Sequence, residues 1–153
     1  MPSLIDLTRR TWIDHTCDVH AGAETLYALL SDVDGWPSWT PGLRAIKRRA
    51  QGFVGPGARF TMLMDHPRFG EIKLPTVMYE NQPLRMVWGG GGFGSNIRHS
   101  FELTPIDADH TRLHHVEYAT GLLALVTLPF EKFAYDHDFR WSETIRTRFE
   151  QKA

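Results

Sequence analysis

The 153-residue chain lacks the features that mark secreted and membrane-spanning proteins. It contains one cysteine, Cys17, so no intrachain disulfide can form and no oxidising compartment is required. No stretch approaches the ~18 apolar residues that a membrane span needs, and no apolar run marks a signal peptide at the N-terminus. We therefore expect a soluble, cytoplasmic protein without a membrane span.

A strong excess of either charge is also missing, since the formal net charge at pH 7 is −1. Proteins that bind nucleic acids usually carry a basic excess or a basic stripe. The one basic cluster, KRR at residues 47–49, is short and is interpreted as a solvated strand end. These observations predict no nucleic-acid partner.

What the chain does contain is a regular succession of strand-like segments in which apolar and polar residues alternate. They cover residues 8–20, 43–50, 58–65, 71–81, 85–89, 97–104 and 111–119. The last six are separated by turn sequences such as NQP, DADH and the glycine-rich GGGGFGS, and short turns join antiparallel neighbours. The pattern predicts one strand followed by a six-stranded antiparallel meander, within a single domain spanning residues 1–153.

Helical periodicity is found at both ends of this meander. The segment AETLYALLSD, residues 23–32, places its leucines on one side and is followed by the turn or short helix GWPSWTPG. A long C-terminal helix is predicted for residues 127–151, preceded by a separate short helix or loop. Thr127 is expected to be its N-cap, because Pro129 is tolerated only in the first turn. The apolar stripe of this helix contains Phe130, Phe133, His137, Trp141 and Ile145.

These elements predict an α+β architecture. A curved seven-stranded antiparallel sheet, two short helices and the long C-terminal helix enclose a cavity. The glycine-rich turn after residue 88 is interpreted as a flexible gate at the mouth of this cavity.

Five stretches carry a more specific signal: AETLYALLSDVDGWPSWTPGL, VGPGARF, PTVMYENQPLRMVW, HSFELTP and TRLHHVEYATGLL. They resemble the SRPBCC or START-like helix-grip superfamily, and within it the polyketide cyclase/dehydrase-like branch. The order of elements is similar to that superfamily over about residues 12–150. The resemblance implies the helix-grip fold, but it leaves the chemistry open because the superfamily includes lipid carriers, allergens, cyclases and ligand sensors.

The last hairpin shows which face of the sheet points inward. Antiparallel counting from a three-residue loop at 107–109 pairs residues that share one face: Leu103 with Leu113, Phe101 with His115, and His99 with Glu117. Because the other members of this face are apolar, it points toward the interior. Two histidines and a carboxylate are therefore predicted to point inward as well.

The topology implied by the resemblance places the first strand beside the last. His15 and Cys17 alternate with Trp12 on the first strand, so they are expected on the inward face and Trp12 on the outer one. Trp12 and the outer face of the sheet could support a homodimer, but a single exposed aromatic residue does not decide between a monomer and a homodimer. The expected inward polar cluster consists of His15, Cys17, His99, His115, Glu117 and, from the long helix, His137.

Three interpretations of this cluster stay open. In the first, His99 and Glu117 only satisfy each other in an apolar interior. In the second, Glu117, His115 and His99 hold or move a proton on an oxygenated substrate, because burial and a nearby imidazolium shift a carboxyl pKa in opposite directions. In the third, the histidines and the carboxylate bind zinc or iron, but no local ligand spacing supports this. We assign no metal ligand and no cofactor at this level.

Two functions are compatible with these residues. The first is a binding protein that holds a hydrophobic or aromatic small molecule in the cavity. Its candidate ligand-binding residues are His15, Cys17, Trp39, Met86, Trp88, Phe101, Phe133, His137 and Trp141. The alternative is a polyketide cyclase- or dehydratase-like enzyme, a lyase or isomerase, that uses Glu117 and the cavity histidines as acid and base.

Overall fold

A curved antiparallel sheet forms the body of the molecule, and the computed structural model describes residues 9–92, 94–126 and 128–150. The strands are β1 (Arg10–Val19), β2 (Leu43–Lys47), β3 (Arg59–His66), β4 (Gly70–Gln82), β5 (Arg85–Gly92), β6 (Ser95–Pro105) and β7 (Thr111–Gly121). Their order across the sheet is β1, β7, β6, β5, β4, β3, β2, and all neighbours are antiparallel. The predicted meander, closed by pairing of the first strand with the last, is confirmed.

The helices lie in the predicted places. They are α1 (Ala23–Ser31), a 3-10 helix (Val33–Ser38), α2 (Leu122–Val126) and α3 (Leu128–Glu150). Pro129 lies in the first turn of α3, while the proposed N-cap Thr127 and the side chain of Phe130 lie outside the described residues. Among the helices described, none is long and apolar enough to cross a membrane.

The register of the β6–β7 hairpin agrees with the sequence count. His99 pairs with Glu117 and Phe101 pairs with His115. The hairpin closes through the backbone hydrogen bond from Ile106 N to the carbonyl oxygen of His110. Counting residue pairs outward from the loop predicted the correct register, because a short loop fixes the register of the strands that it joins.

The expectation that Trp12 faces outward is wrong. The pairing of β1 with β7 is irregular between Thr11 and Ile13, and a bulge of this kind turns two consecutive residues toward the same side. Trp12 is 7% exposed and packs with Ala119 and Ala124. Strict alternation therefore misplaced this side chain.

The glycine-rich segment is part of the sheet and not a flexible gate, because β5 continues to Gly92 instead of ending at Gly89. A Cβ atom at Gly89 would lie 1.9 Å from the carbonyl oxygen of Ile97 on β6. At Gly91 it would lie 2.3 Å from the carbonyl oxygen of Ser95. These glycines therefore permit a close backbone approach of two strands.

Three buried tryptophans join the sheet, the 3-10 helix and α3. The ring centroids of Trp36 and Trp88 are 5.3 Å apart, and the ring of Trp141 lies 5.2 Å from Trp36 and 5.8 Å from Trp88. All three side chains are fully buried. Their packing fixes α3 against the concave face of the sheet.

Replacing Gly89 with alanine tests the close strand approach. We expect Gly89→Ala to lower the free energy of unfolding by roughly 2 kcal/mol or more, because the added methyl group overlaps backbone that cannot move freely. Gly55→Ala is the control, since its Cβ would meet only the ring of Phe53 at ordinary contact distances. Urea unfolding of both variants measures the difference, and equal stabilities would contradict the close approach.

Candidate functional site

The concave face of the sheet and α3 surround a cavity of about 370 Å³. Much of its wall is apolar and includes Met62 and Met64 of β3, Ile72 and Leu74 of β4, and Phe133 and Trp141 of α3. Leu74 is 37% exposed, so the cavity reaches the surface beside β4. This arrangement suits an apolar molecule that enters between the sheet and the helix.

One part of the cavity wall is polar. It is formed by His99, Glu117, His137 and Asp138. His99 Nε2 donates a hydrogen bond to Glu117 Oε1 at 2.8 Å. Glu117 is almost completely buried, and its carboxylate also accepts a hydrogen bond from the carboxyl group of Asp138.

His115 lies behind this polar wall and is fully buried. Its Nδ1 is 2.9 Å from Ser142 Oγ, and its Nε2 is 3.5 Å from His99 Nδ1. Burial lowers the pKa of His115 well below the ordinary histidine value, and repulsion from His99 and His137 in their protonated forms adds to this effect. His115 is therefore neutral at pH 7.

Asp138 and Glu117 form a coupled pair of buried carboxyls. Burial and the adjacent charge of Glu117 raise the pKa of Asp138 well above its usual range. Burial also acts to raise the pKa of Glu117, but the charge of His99 opposes it and the pKa of Glu117 is lowered. Without another cation nearby, Glu117 is the ionised member, and Asp138 carries the proton and donates it in a hydrogen bond to Glu117.

Two predicted members of the cluster lie apart from the cavity. His15 pairs with His115 through the β1–β7 ladder, but its side chain contacts Phe139 and lies 3.7 Å from Glu143 Oε1. Cys17 is half-buried, and burial followed by the charge of Glu143 raises the pKa of its thiol to about 11. Cys17 is therefore a protonated thiol at pH 7 and not a ready nucleophile.

Four further candidate ligand-binding residues are buried in the core and do not line the cavity: Trp39, Met86, Trp88 and Phe101. Two of them support the polar cluster from behind. The ring of Trp88 stacks on His99 at 5.1 Å, and the ring of Phe101 lies 4.6 Å from His115. Of the predicted ligand-binding set, Phe133, His137 and Trp141 line the cavity itself.

Asp138 is the site residue that sequence reasoning missed. It is 1% exposed and follows His137, which had been placed on the inward stripe. A signal for its burial existed, because Asp138 is four residues after Ala134 and three before Trp141, both of which line the cavity.

A larger groove of about 820 Å³ lies along β2 to β4 and includes Lys47, Arg49 and Arg59. Arg48, also in its wall, is hydrogen-bonded to Asp34. The groove contains no member of the His99, His115, Glu117 cluster. The smaller cavity is therefore the candidate functional site.

The sheet order, the long helix and the cavity between them define a START-like helix-grip protein. The chain belongs to the polyketide cyclase / dehydrase and lipid transport family, whose model matches residues 10–140. The resemblance noted from the sequence is thereby confirmed. No curated protein matches the chain in sequence.

Solved structures of low sequence identity share the fold. A START superfamily protein from Mycobacterium smegmatis is 20% identical with a TM-score of 0.70, covering 92% of this chain and 98% of that chain. An aromatase/cyclase from Streptomyces sp. R1128 is 14% identical with a TM-score of 0.64, covering 90% and 94%. Norcoclaurine synthase from Thalictrum flavum, in complex with dopamine and hydroxybenzaldehyde, is 12% identical with a TM-score of 0.72, covering 100% and 94%. At these identities the similarity shows the fold alone.

The buried His137 makes stability depend on pH. Burial and the charge of His99 lower its pKa from 6.5 to about 4, so between these values the unfolded chain binds a proton that the folded protein does not. Stability present above pH 6.5 is therefore lost as the pH falls toward 4. When the pH falls from about 7 to about 4.5, we expect the free energy of unfolding of the wild type to decrease by about 2 kcal/mol more than that of His137→Phe.

Urea unfolding at both pH values measures this difference, with EDTA present so that no bound cation contributes. The control is His20→Gln, because His20 is exposed and its replacement leaves the buried surroundings of His137 intact. A wild type and a His137→Phe variant with the same pH dependence would contradict a neutral, buried His137.

Proposed function

We propose that this protein binds a hydrophobic or aromatic small molecule in the 370 Å³ cavity and holds an oxygenated end of that molecule at His99 and Glu117. The observation that carries the proposal is the composition of the wall, which is apolar except for this one polar region. Membership of a family described as polyketide cyclase / dehydrase and lipid transport supports it.

The size of the cavity narrows the class of ligand. Small-molecule sites commonly span about 300–1,000 Å³, and 370 Å³ is near the lower end of that range. A compact ligand fits this volume better than a long acyl chain. Met62 and Met64 add soft, adaptable surface, which suits planar aromatic rings.

The polar region of the wall would orient the ligand within the cavity. An ionised carboxylate offers about four lone-pair sites, so a ligand hydroxyl can donate to Glu117 in addition to His99 and Asp138. Trp12 and Trp141 line the same cavity and offer aromatic faces to the rest of the ligand.

We also propose a cytoplasmic location, supported by the single cysteine that occupies a half-buried position in β1. The protein acts as a monomer or a homodimer. Trp12, which the sequence suggested as a dimer contact, faces inward and is buried, so it does not support a homodimer.

Filling the cavity tests the binding function. Ala134 lines the cavity, and Ala134→Phe places a ring in the proposed ligand volume. We expect this variant to bind 2-naphthol at least about tenfold more weakly, since the ring removes apolar surface that the ligand would bury. Quenching of tryptophan fluorescence during the titration measures the affinity.

Ala28→Phe is the matched control, because Ala28 is exposed on another helix and its replacement should leave the affinity unchanged. Native mass spectrometry of freshly purified protein complements the titration by weighing any ligand that copurifies. Failure of the wild type to bind, or equal binding by both variants, would overturn the cavity as the ligand site.

A second function is favoured by the ionised carboxylate of Glu117 in the cavity wall. In a cyclase- or dehydratase-like reaction, Glu117 would accept a proton from a carbon next to a carbonyl group, and His99, which hydrogen-bonds to Glu117, would tune its basicity. His115 would act through His99, since it is buried behind that ring. The apolar wall would exclude water from the reacting carbon.

Glu117→Gln separates the two functions. For a binding protein, we expect the affinity for naphthalene, which has no oxygen, to stay within about twofold of the wild type, because the amide keeps the shape of the wall. For an enzyme, turnover of an aromatic polyketide-like substrate should fall by about 10²–10⁴ while substrate binding is kept. Turnover that survives Glu117→Gln would exclude Glu117 as the base.

A further inference from the structure

Three donor atoms from three different elements converge at the polar end of the cavity. His99 of β6, His115 of β7 and Asp138 of α3 each offer one ligand atom, and these three atoms lie within 4.8 Å of one another. His99 Nδ1 is 3.5 Å from His115 Nε2 and 3.9 Å from Asp138 Oδ2. The side chains of His115 and Asp138 are completely or almost completely buried.

The other polar atom of each side chain already has a partner. His99 Nε2 lies 2.8 Å from Glu117 Oε1, His115 Nδ1 lies 2.9 Å from Ser142 Oγ, and Asp138 Oδ1 lies 3.2 Å from His137 Nδ1. Partners of this kind orient metal ligands in proteins, and a carboxylate behind a histidine is a common example. The rings and the carboxyl are therefore held with their remaining donor atoms pointing toward one another.

Neutral rings would place lone pairs face to face. Glu117 accepts from His99 Nε2, which leaves the lone pair of the neutral ring on Nδ1. When His115 donates through Nδ1 to Ser142, its lone pair lies on Nε2. Asp138 Oδ2 lies beside the two rings, and Asp138 must first lose the proton that it shares with Glu117 before it can bind a cation. Once that proton has left, three electron-pair donors surround one point, and a cation could bind between them.

We propose that His99, His115 and Asp138 bind one divalent first-row transition cation, with Zn²⁺ as the probe. Two imidazoles and one carboxylate match the ligand preferences of such ions. Metal–ligand bonds of about 2.0–2.2 Å place adjacent donors about 3.0–3.5 Å apart, so the separations of 3.5 and 3.9 Å require only small movements.

The cation would lie at the inner end of the cavity. His99 and Asp138 both line the cavity, so the free coordination positions of a three-ligand site would face it. An oxygen of a bound molecule can occupy such a position. This role toward a ligand rests on the proposed function, whereas binding of the cation itself does not.

The test uses the full chain without a polyhistidine tag, stripped with EDTA, and titrated with Zn²⁺ by calorimetry. We expect one cation per chain, and at least about 100-fold weaker binding for His99→Gln and Asp138→Asn, since even loss of a ligand's hydrogen-bonding partner weakens metal binding 10- to 100-fold. His114→Gln is the matched control, because His114 precedes His115 on the same strand and contacts Asp14 on the outer face. Its affinity should equal that of the wild type.

The visible absorption of Co²⁺ bound to the wild type tests the metal site even if a variant fails to fold. Co²⁺ bound to the wild type should give visible absorption bands that Zn²⁺ abolishes, without a thiolate charge-transfer band, because Cys17 is not a ligand. Absence of stoichiometric binding, a thiolate band, or equal affinity in folded His99→Gln and wild type would overturn the metal site. Binding of 2-naphthol in the same samples reports on the cavity separately, so the two proposals fail independently.

Discussion

The packing of Trp141 against Trp36 and Trp88 is the contact on which the rest of the site depends. Aromatic pairs of this kind contribute about 0.5–1.5 kcal/mol each beyond the burial of their area. These contacts also fix the rotation of α3 about its own axis. Because α3 is one continuous helix, the buried position of one large side chain determines which way the neighbouring turns face. With Trp141 in the core, His137 and Asp138, about one turn earlier, must face the sheet.

This constraint forces polar groups into a dry interior. Asp138 is placed beside Glu117, so one of the two carboxyl groups must be protonated unless a cation compensates their charges. His99 supplies one compensation through its hydrogen bond to Glu117. The same groups make the end of the cavity suitable for an oxygenated ligand, a proton or a metal ion, while the surrounding apolar wall accepts the remainder of a small molecule.

The sequence was most informative where structure is local. The register that pairs His99 with Glu117 follows from the length of one hairpin loop, and the position of Pro129 follows from its missing amide hydrogen. It was least informative where a strand departs from regular geometry. The irregularity beside Trp12 turned that side chain inward, and the glycines after Trp88 proved to be strand residues under close backbone contact.

The sequence by itself therefore determined the order of the elements, the inward face of the last hairpin and the presence of His99, His115 and Glu117 on that face. Alternation and turn length act over a few residues, so they can be read without knowing the fold. Only the tertiary structure decided that Asp138 joins these residues and that Cys17 stays apart from the cavity. Those positions depend on how α3 is rotated and how the sheet curves beneath it, and both are set by packing between residues distant in the chain.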